Sequence, residues 1–212
     1  MNWFLDMCII IFYAEDSQEI KSVKSKEFIK NKEDSKFFLC FYITKENMPK
    51  WIQRQKAIIN LIRMNIKNPS LEIEKLEDYN LLFKQDIIKL KKLLGGSSQF
   101  KNKQEYYNII KRNHIVLIQR INYFLAKLID KEVIEKVDPE LRSTLFTFLQ
   151  NYSDAVTLAS AIQCHNKEEE ITILTGDKKD WTKDNIQWTF DSKLQLAKTY
   201  QKIPEIKYIQ NL

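Results

Sequence analysis

The chain has 212 residues, of which 44% are hydrophobic and 29% charged, and its net charge is +6. This balance indicates a folded globular protein, and the length suits one domain with a large insertion. The positive excess is compatible with a polyanionic partner, although most lysines are expected on solvated helix faces. The sequence contains three glycines, which excludes a Walker-type phosphate loop and a dinucleotide fingerprint, because both need several glycines at fixed spacing.

Cysteine usage and hydropathy predict a cytoplasmic protein. The three cysteines, Cys8, Cys40 and Cys164, cannot all pair, and none stands in a Cys-x-x-Cys spacing, so a reducing compartment is expected. The apolar segment 3–13 lacks a basic leader and is interrupted by Asp6, which argues against a signal peptide. No apolar run reaches the roughly 18 residues of a membrane span, so no membrane partner is expected.

Apolar patterning predicts strands and helices in alternation at both ends of the chain. In chain order the predicted elements are a strand at 3–5, a helix at 17–31, a strand at 37–43, a helix at 154–164, a strand at 171–175, a helix at 191–200 and a strand at 206–209. Strands separated by helices imply a parallel sheet with right-handed crossovers.

The middle of the chain is predicted to be helical. Apolar residues at spacings of three and four predict helices at 51–66, 71–94, 103–136 and 139–150. Asn68-Pro69-Ser70 and the segment 95–98 (GGSS) are typical turn sequences. We therefore interpret residues 1–212 as a single α/β domain with a helical insertion at about 52–145. The alternative, an all-helical protein, predicts helices through 37–43 and 171–175.

Acidic residues fall where a parallel sheet would present them at one edge. Asp6 and Asp177 follow predicted strands, Glu46 lies just beyond the strand at 37–43, and Asp154 opens a predicted helix. Clustered carboxylates raise each other's pKa unless a cation offsets the repulsion, so the pattern predicts a site for Mg²⁺ or Mn²⁺. Taken singly, Asp177 could be a turn residue and Asp154 a favourable charge at a helix start.

Four segments form an ordered pattern that is more specific than any one of them: FLDMCIII at 4–11, ITKE at 43–46, SDAVTLASA at 153–161 and ILTGDKKDW at 173–181. Together they resemble the PIN-domain ribonucleases, over about residues 1–50 and 145–212, and the helical middle is unmatched. The resemblance implies a catalytic and metal-binding set consisting of Asp6, Glu46, Asp154 and Asp177. It also implies a further metal ligand at Asp180 and an orienting role for Thr175.

The activity implied by this resemblance is metal-dependent endoribonuclease cleavage, in which RNA phosphodiester bonds are hydrolysed with Mg²⁺ or Mn²⁺ on a PIN-like parallel sheet flanked by helices. It further implies the toxin of a toxin-antitoxin pair, with an antitoxin or regulatory protein as partner; a homodimer stays open. The alternative is a noncatalytic RNA-binding or protein-interaction module on the same scaffold.

Basic and aromatic residues near the predicted site are candidates for RNA contacts. Lys178, Lys179 and Lys183 flank the acidic residues and could hold phosphates. Aromatic side chains could stack on unpaired bases, although such residues more often pack in a core or at its rim. The candidates are Trp181, Trp188, Tyr106 and Tyr107.

Overall fold

The computed structural model describes residues 1–31, 34–97, 99–133, 136–167 and 169–212. Contacts between residues divide the chain into two compact units. The sheet unit comprises Met1–Asn47 and Arg120–Leu212, and the helical unit comprises Met48–Gln119. Residues 120–145 fell within the predicted insertion, and by their contacts they belong to the sheet unit.

The sheet unit is built on a parallel sheet whose strand order is β3-β2-β1-β4-β5. Its strands are β1 (Asn2–Leu5), β2 (Lys36–Cys40), β3 (Lys131–Val133), β4 (Thr172–Thr175) and β5 (Glu205–Tyr208). The central strand β1 pairs with β2 and β4, so that Phe4 lies opposite Phe38 and Ile173. The predicted α/β class with a parallel sheet is confirmed, and the all-helical alternative is wrong.

Helices flank the sheet and form the helical unit. In chain order they are α1 (Met7–Ala14), α2 (Ile20–Lys30), α3 (Met48–Lys67), α4 (Glu77–Asn80), α5 (Lys84–Ser97), α6 (Lys103–Lys127), α7 (Pro139–Leu149), α8 (Tyr152–Lys167), α9 (Lys183–Asp191) and α10 (Leu194–Thr199). A π-helical turn spans Ile43–Asn47, and 3₁₀ turns span Ile73–Lys75 and Ile209–Asn211. Within the part of the chain that the structure describes, none of the helices combines the length and apolar character needed to cross a bilayer.

The core of the sheet unit explains why β1 and β2 are rich in consecutive apolar residues. Trp3, Phe4 and Leu5 of β1 are almost wholly buried, as are Phe38 and Leu39 of β2. A parallel sheet covered on both faces needs apolar side chains in both directions, because neither face meets water. Polar residues therefore become conspicuous where a strand ends.

Helix α7 shows how short-range signals define an element of this unit. The Asp138 carboxylate accepts hydrogen bonds from the backbone N–H groups of Glu140 and Leu141, and Pro139 occupies the first helical position. The helix ends at Gln150, which adopts a left-handed conformation with φ of 50°. The Tyr200 hydroxyl donates a further hydrogen bond of 2.7 Å to the Asp138 carboxylate.

The expected helix at 103–136 is wrong beyond Lys127, where α6 ends and the edge strand β3 follows. Tertiary hydrogen bonds explain the difference. The Asp130 carboxylate accepts from the Phe37 N–H at 2.7 Å, and the Asp130 N–H donates to the Phe37 carbonyl at 2.9 Å. These bonds hold the segment against β2, so pairing with the sheet outweighs helix propensity. The strand expected at 37–43 also ends earlier, at Cys40.

The helical unit departs from the predicted pattern at two places. The helix expected at 71–94 is divided into the 3₁₀ turn, α4 and α5, and the Asp86 carboxylate accepts from the Phe83 N–H at 3.1 Å at the start of α5. The expected turn at Gly95-Gly96 is helical. The Tyr106 ring packs where a side chain at position 96 would stand, because its hydroxyl oxygen would lie 2.6 Å from a Cβ added to Gly96.

A separate apolar core holds the helical unit together. Its buried members come from α3, α5, α6 and the turns between α3 and α5: Ala57, Ile58, Leu61, Ile62, Ile73, Leu82, Leu90 and Tyr107. The stripe on α3 has the three- and four-residue spacing of an amphipathic helix.

Candidate functional site

The two central strands, β1 and β4, end side by side and bring the two ends of the chain together. The backbone N–H of Asp6 donates to the Leu174 carbonyl at 3.0 Å, which extends the ladder to the first residue after β1. The Thr175 hydroxyl then donates to Asp6 Oδ2 at 2.8 Å and accepts from the Asp177 N–H at 3.0 Å. One hydroxyl thus positions both a carboxylate from the amino-terminal part of the chain and the turn that carries Asp177.

Cys8 completes the environment of Asp6. Its thiol donates to Asp6 Oδ2 at 2.8 Å, and the Gly176 N–H donates to the sulfur at 3.1 Å. Burial raises the pKa of the Asp6 carboxyl, and the hydrogen bonds from Cys8 and Thr175 act in the opposite direction. Burial also raises the pKa of the Cys8 thiol well above its ordinary value, and the Asp6 charge adds to this, so the thiol stays protonated and remains a donor.

Asp154 lies in the first turn of α8 and faces the same carboxylates. Burial raises the pKa of its carboxyl to about 7, and the charges of Asp6, Asp177 and Asp180 contribute to the rise. A carboxylate at a helix start is normally stabilised by the helix dipole. Here burial and like charges outweigh that stabilisation, so the site concentrates negative charge.

The loop after β4 holds the remaining two carboxylates in a tight turn. Asp177 Oδ1 accepts from the N–H groups of Lys179 and Asp180, at 2.9 and 3.0 Å. The Asp180 carbonyl accepts from the Asn185 side chain at 2.8 Å, which ties the turn to α9. Both of these hydrogen bonds to Asp177 engage Oδ1.

The chemistry of this donor set fits a hard divalent cation. Asp6, Asp154, Asp177 and Asp180 offer anionic oxygens, and such ligands suit Mg²⁺ or Mn²⁺. Burial and, after it, the charges of the other three carboxylates raise the pKa of Asp154, and a bound cation would offset the repulsion between these charges. Within the described ranges, no group of three or more His, Cys, Asp or Glu side chains stands arranged as a metal site.

Glu46 lies in the π-helical turn after β2, where it is exposed and lines a groove with Tyr42 and Lys45. Its neighbour Asn47 contacts the start of α8, because the Ser153 hydroxyl donates to Asn47 Oδ1 at 3.0 Å. Glu46 therefore lines this groove. The carboxylates whose charges contribute to the raised pKa of Asp154 are Asp6, Asp177 and Asp180.

The predicted basic residues lie on the surface beside the acidic turn. Lys178, Lys179 and Lys183 are exposed, and the Lys178 ammonium donates to Asn211 Oδ1 at 2.7 Å. The aromatic candidates divide into two groups. Trp181, Tyr106 and Tyr107 are buried, so stacking of these rings on RNA bases is ruled out for this conformation. Trp188 is 52% exposed and packs edge-on against Phe148.

Sequence reasoning missed two features of this region. No role in the site is predicted for Cys8 from the sequence, yet its spacing of two residues from Asp6 at a helix start is a local signal for a side-chain hydrogen bond. The cationic and aromatic side chains of the groove beside Glu46 come from several segments that are distant in the sequence. Their spacing therefore does not predict the groove. No family model, curated protein or solved structure matches the chain.

Proposed function

We propose that this protein is a metal-dependent endoribonuclease with a PIN-like fold, which hydrolyses RNA phosphodiester bonds with Mg²⁺ or Mn²⁺. The observation that carries the proposal is the Thr175 hydroxyl, which joins Asp6 at the end of β1 to the Asp177 turn at the end of β4. The carboxyl edge of a parallel sheet is where ligands of α/β folds bind. In this proposal the acidic residues from both ends of the chain act together at that edge.

The carboxylates of Asp6, Asp154 and Asp177 would hold the ion, with Asp180 as a further ligand; Glu46, which lines the groove beside α8, lies outside this proposed set. A bound divalent ion supplies an activated water and balances charge on the phosphate. Thr175 and Cys8 fix the orientation of the Asp6 carboxylate. Lys178, Lys179 and Lys183 would attract the RNA backbone to the rim of the site.

Asp154 also has a role in proton balance. Its pKa of about 7 means that its carboxyl holds a proton for part of the time near neutral pH. Because a cation competes with that proton, ion binding should release it from the Asp154 carboxyl. Metal affinity should therefore rise with pH through the neutral range.

The direct test is cleavage of end-labelled RNA with Mg²⁺ or Mn²⁺. Asp6→Asn and Asp177→Asn should lose activity by at least about 100-fold, since each removes a charge from the ion site at nearly constant volume. Asp191→Asn is the matched control, because Asp191 is an exposed aspartate at the end of α9. Wild-type protein that cuts no RNA with either metal, or site variants that cut as well as wild type, would overturn the proposal.

The context that we propose, by resemblance alone, is the toxin of a toxin-antitoxin pair. Induced expression should then arrest bacterial growth, and Asp6→Asn should abolish the arrest at equal protein level. Arrest that persists in Asp6→Asn would contradict a toxic ribonuclease and favour a noncatalytic interaction module.

A further inference from the structure

A groove of about 860 Å³ lies in the sheet unit beside the start of α8. Its cationic lining comes from Lys45, Lys136, Arg142 and Lys167, and its acidic lining from Glu46 and Asp138. Asp138 is already engaged, because its carboxylate caps α7 and accepts from the Tyr200 hydroxyl. Among the residues that the structure describes, cationic side chains therefore outnumber acidic ones in the groove lining, although Asp154 of the candidate site lies on the same helix.

Aromatic rings stand among these cations. Tyr42 and Tyr152 pack edge to face, with ring centroids 5.9 Å apart, and Tyr152 is 48% exposed. The Arg142 guanidinium lies 5.4 Å from the centroid of the Tyr152 ring and donates to its hydroxyl at 3.2 Å. These contacts fix the orientation of the Tyr152 ring, which lowers the entropic cost of placing a flat ligand on it.

We propose that this groove binds a single-stranded segment of RNA, with a base stacked on Tyr152 and phosphates held by Lys45, Arg142 and Lys167. Fixed aromatic rings among cations are the combination that binds unpaired nucleic acid, because every base has a stacking face and every linkage a negative charge. A duplex hides its base faces and cannot use the rings. An acidic peptide would use the cations and would leave the ring faces unused.

The groove and the acidic site share the amino terminus of α8. Tyr152 begins the helix, Asp154 follows two residues later, and Ser153 between them donates to Asn47. Residues two apart point about 200° from each other around a helix, so the two sites lie on opposite sides of one helix, roughly 10 to 12 Å across. A strand passing over this terminus would reach from one to the other. The inference rests on the proposed function for the statement that the bound strand is then cleaved. Binding in the groove does not require cleavage.

The test measures binding of the full-length protein to a fluorescein-labelled oligouridylate 12-mer by anisotropy, in EDTA so that cleavage cannot occur. Tyr152→Leu should weaken binding by about 5- to 160-fold, the range for loss of one stacked base. Tyr152→Phe keeps the ring and should bind as wild type does, which separates stacking from the hydroxyl contact. Arg142→Gln should reduce the slope of the logarithm of the binding constant against the logarithm of salt concentration by about 0.7 in magnitude, the value for one phosphate contact on a single strand.

Matched controls use residues outside the groove. Tyr123 is 54% exposed and Lys30 is an exposed lysine of α2, so Tyr123→Leu and Lys30→Gln should leave the affinity unchanged. Circular dichroism should show that every variant is folded. The inference is overturned if Tyr152→Leu binds as wild type, if a duplex of equal length binds as tightly, or if polyglutamate competes as well as oligouridylate.

Failure of the groove and failure of the nuclease give different results. Asp6→Asn should bind oligouridylate in EDTA with wild-type affinity and should not cut RNA. If the protein binds RNA through Tyr152 and never cleaves it, the groove proposal holds and the nuclease proposal fails. If Tyr152→Leu cleaves RNA with unchanged kcat/KM, the nuclease proposal holds and the groove proposal fails.

Discussion

Replacing Asp154 by asparagine should stabilise the metal-free protein at alkaline pH, which is unusual for a polar substitution in a partly buried position. The pKa of the Asp154 carboxyl is raised to about 7 by burial and by the charges of Asp6, Asp177 and Asp180. The unfolded chain releases the same proton near pH 3.9. Between these values the folded state binds more protons than the unfolded state, so the free energy of unfolding falls as pH rises and levels off above about pH 7.

The size of this effect follows from the pKa difference. Each unit is worth about 1.4 kcal/mol, so a shift of roughly three units sets a ceiling of about 4 kcal/mol. Solvent screening at a partly accessible carboxyl reduces the expected value to about 1–3 kcal/mol at pH 8. Asparagine keeps the shape and removes the charge. Asp154→Asn should therefore melt about 2 to 12 °C higher than wild type in EDTA at pH 8, with a much smaller difference at pH 5.

Manganese or magnesium should reverse the order of stability. An ion that binds the folded state stabilises it by an amount that grows with concentration, reaching about 2.7 kcal/mol at a hundredfold excess over Kd. Wild type should gain this stability and Asp154→Asn should gain little, in differential scanning fluorimetry across a metal titration. Asp191→Asn serves as the control and should follow wild type in both conditions. The electrostatic reasoning would be refuted if Asp154→Asn were less stable than wild type in EDTA at pH 8. It would also be refuted if neither ion raised the melting temperature of wild type.

Three further substitutions test the packing and the caps. Gly176→Ala should cost about 1–3 kcal/mol in urea denaturation, because an added Cβ would stand 2.7 Å from Phe12 Cε2 and 3.2 Å from the Cys8 sulfur. Asp138→Ala should cost about 1–2 kcal/mol through its lost cap. Burial acts to raise the pKa of Asp138, but hydrogen bonds outweigh it and hold the pKa below its ordinary value, so this cost should be present above about pH 4 and vanish as pH falls further. Leu61→Ala should cost about 2–5 kcal/mol and should accelerate hydrogen exchange in α3 of the helical unit, where Leu61 is fully buried.

The sequence predicts β1 and β4 from residues that are buried in the sheet. The runs at 3–5 and 171–175 are short, apolar and bounded by polar residues, and they form β1 and the region of β4. The third strand, Lys131–Val133, has no such signature, since its sequence is KEV and it follows a long helical pattern. Its conformation depends on hydrogen bonds between Asp130 and Phe37, which are distant in the chain, so local patterning cannot predict it.

The same distinction separates the acidic site from the groove. A carboxylate that directly follows a buried strand can be recognised in the sequence, because the parallel strands of a sheet end at one edge and bring such positions together there. The groove needs Tyr42, Arg142 and Tyr152 from three separate elements, with the capped start of α7 between them. No periodicity connects these positions, and their shared charge and aromatic character emerge after the elements are packed.

The amino terminus of α8 supplies the electrostatic argument for the proposal that the acidic residues bind a cation. A helix start favours a negative charge by about 0.3–1 kcal/mol, and Asp154 would gain this wherever the helix stood. The pKa of Asp154 is nevertheless raised to about 7, because burial, together with the charges of Asp6, Asp177 and Asp180, outweighs the helix dipole. Thr175 and Cys8 hold Asp6 in this arrangement rather than letting it turn away from the other charges. Strain of this kind concentrates at functional sites, and a cation is the ligand that would relieve it.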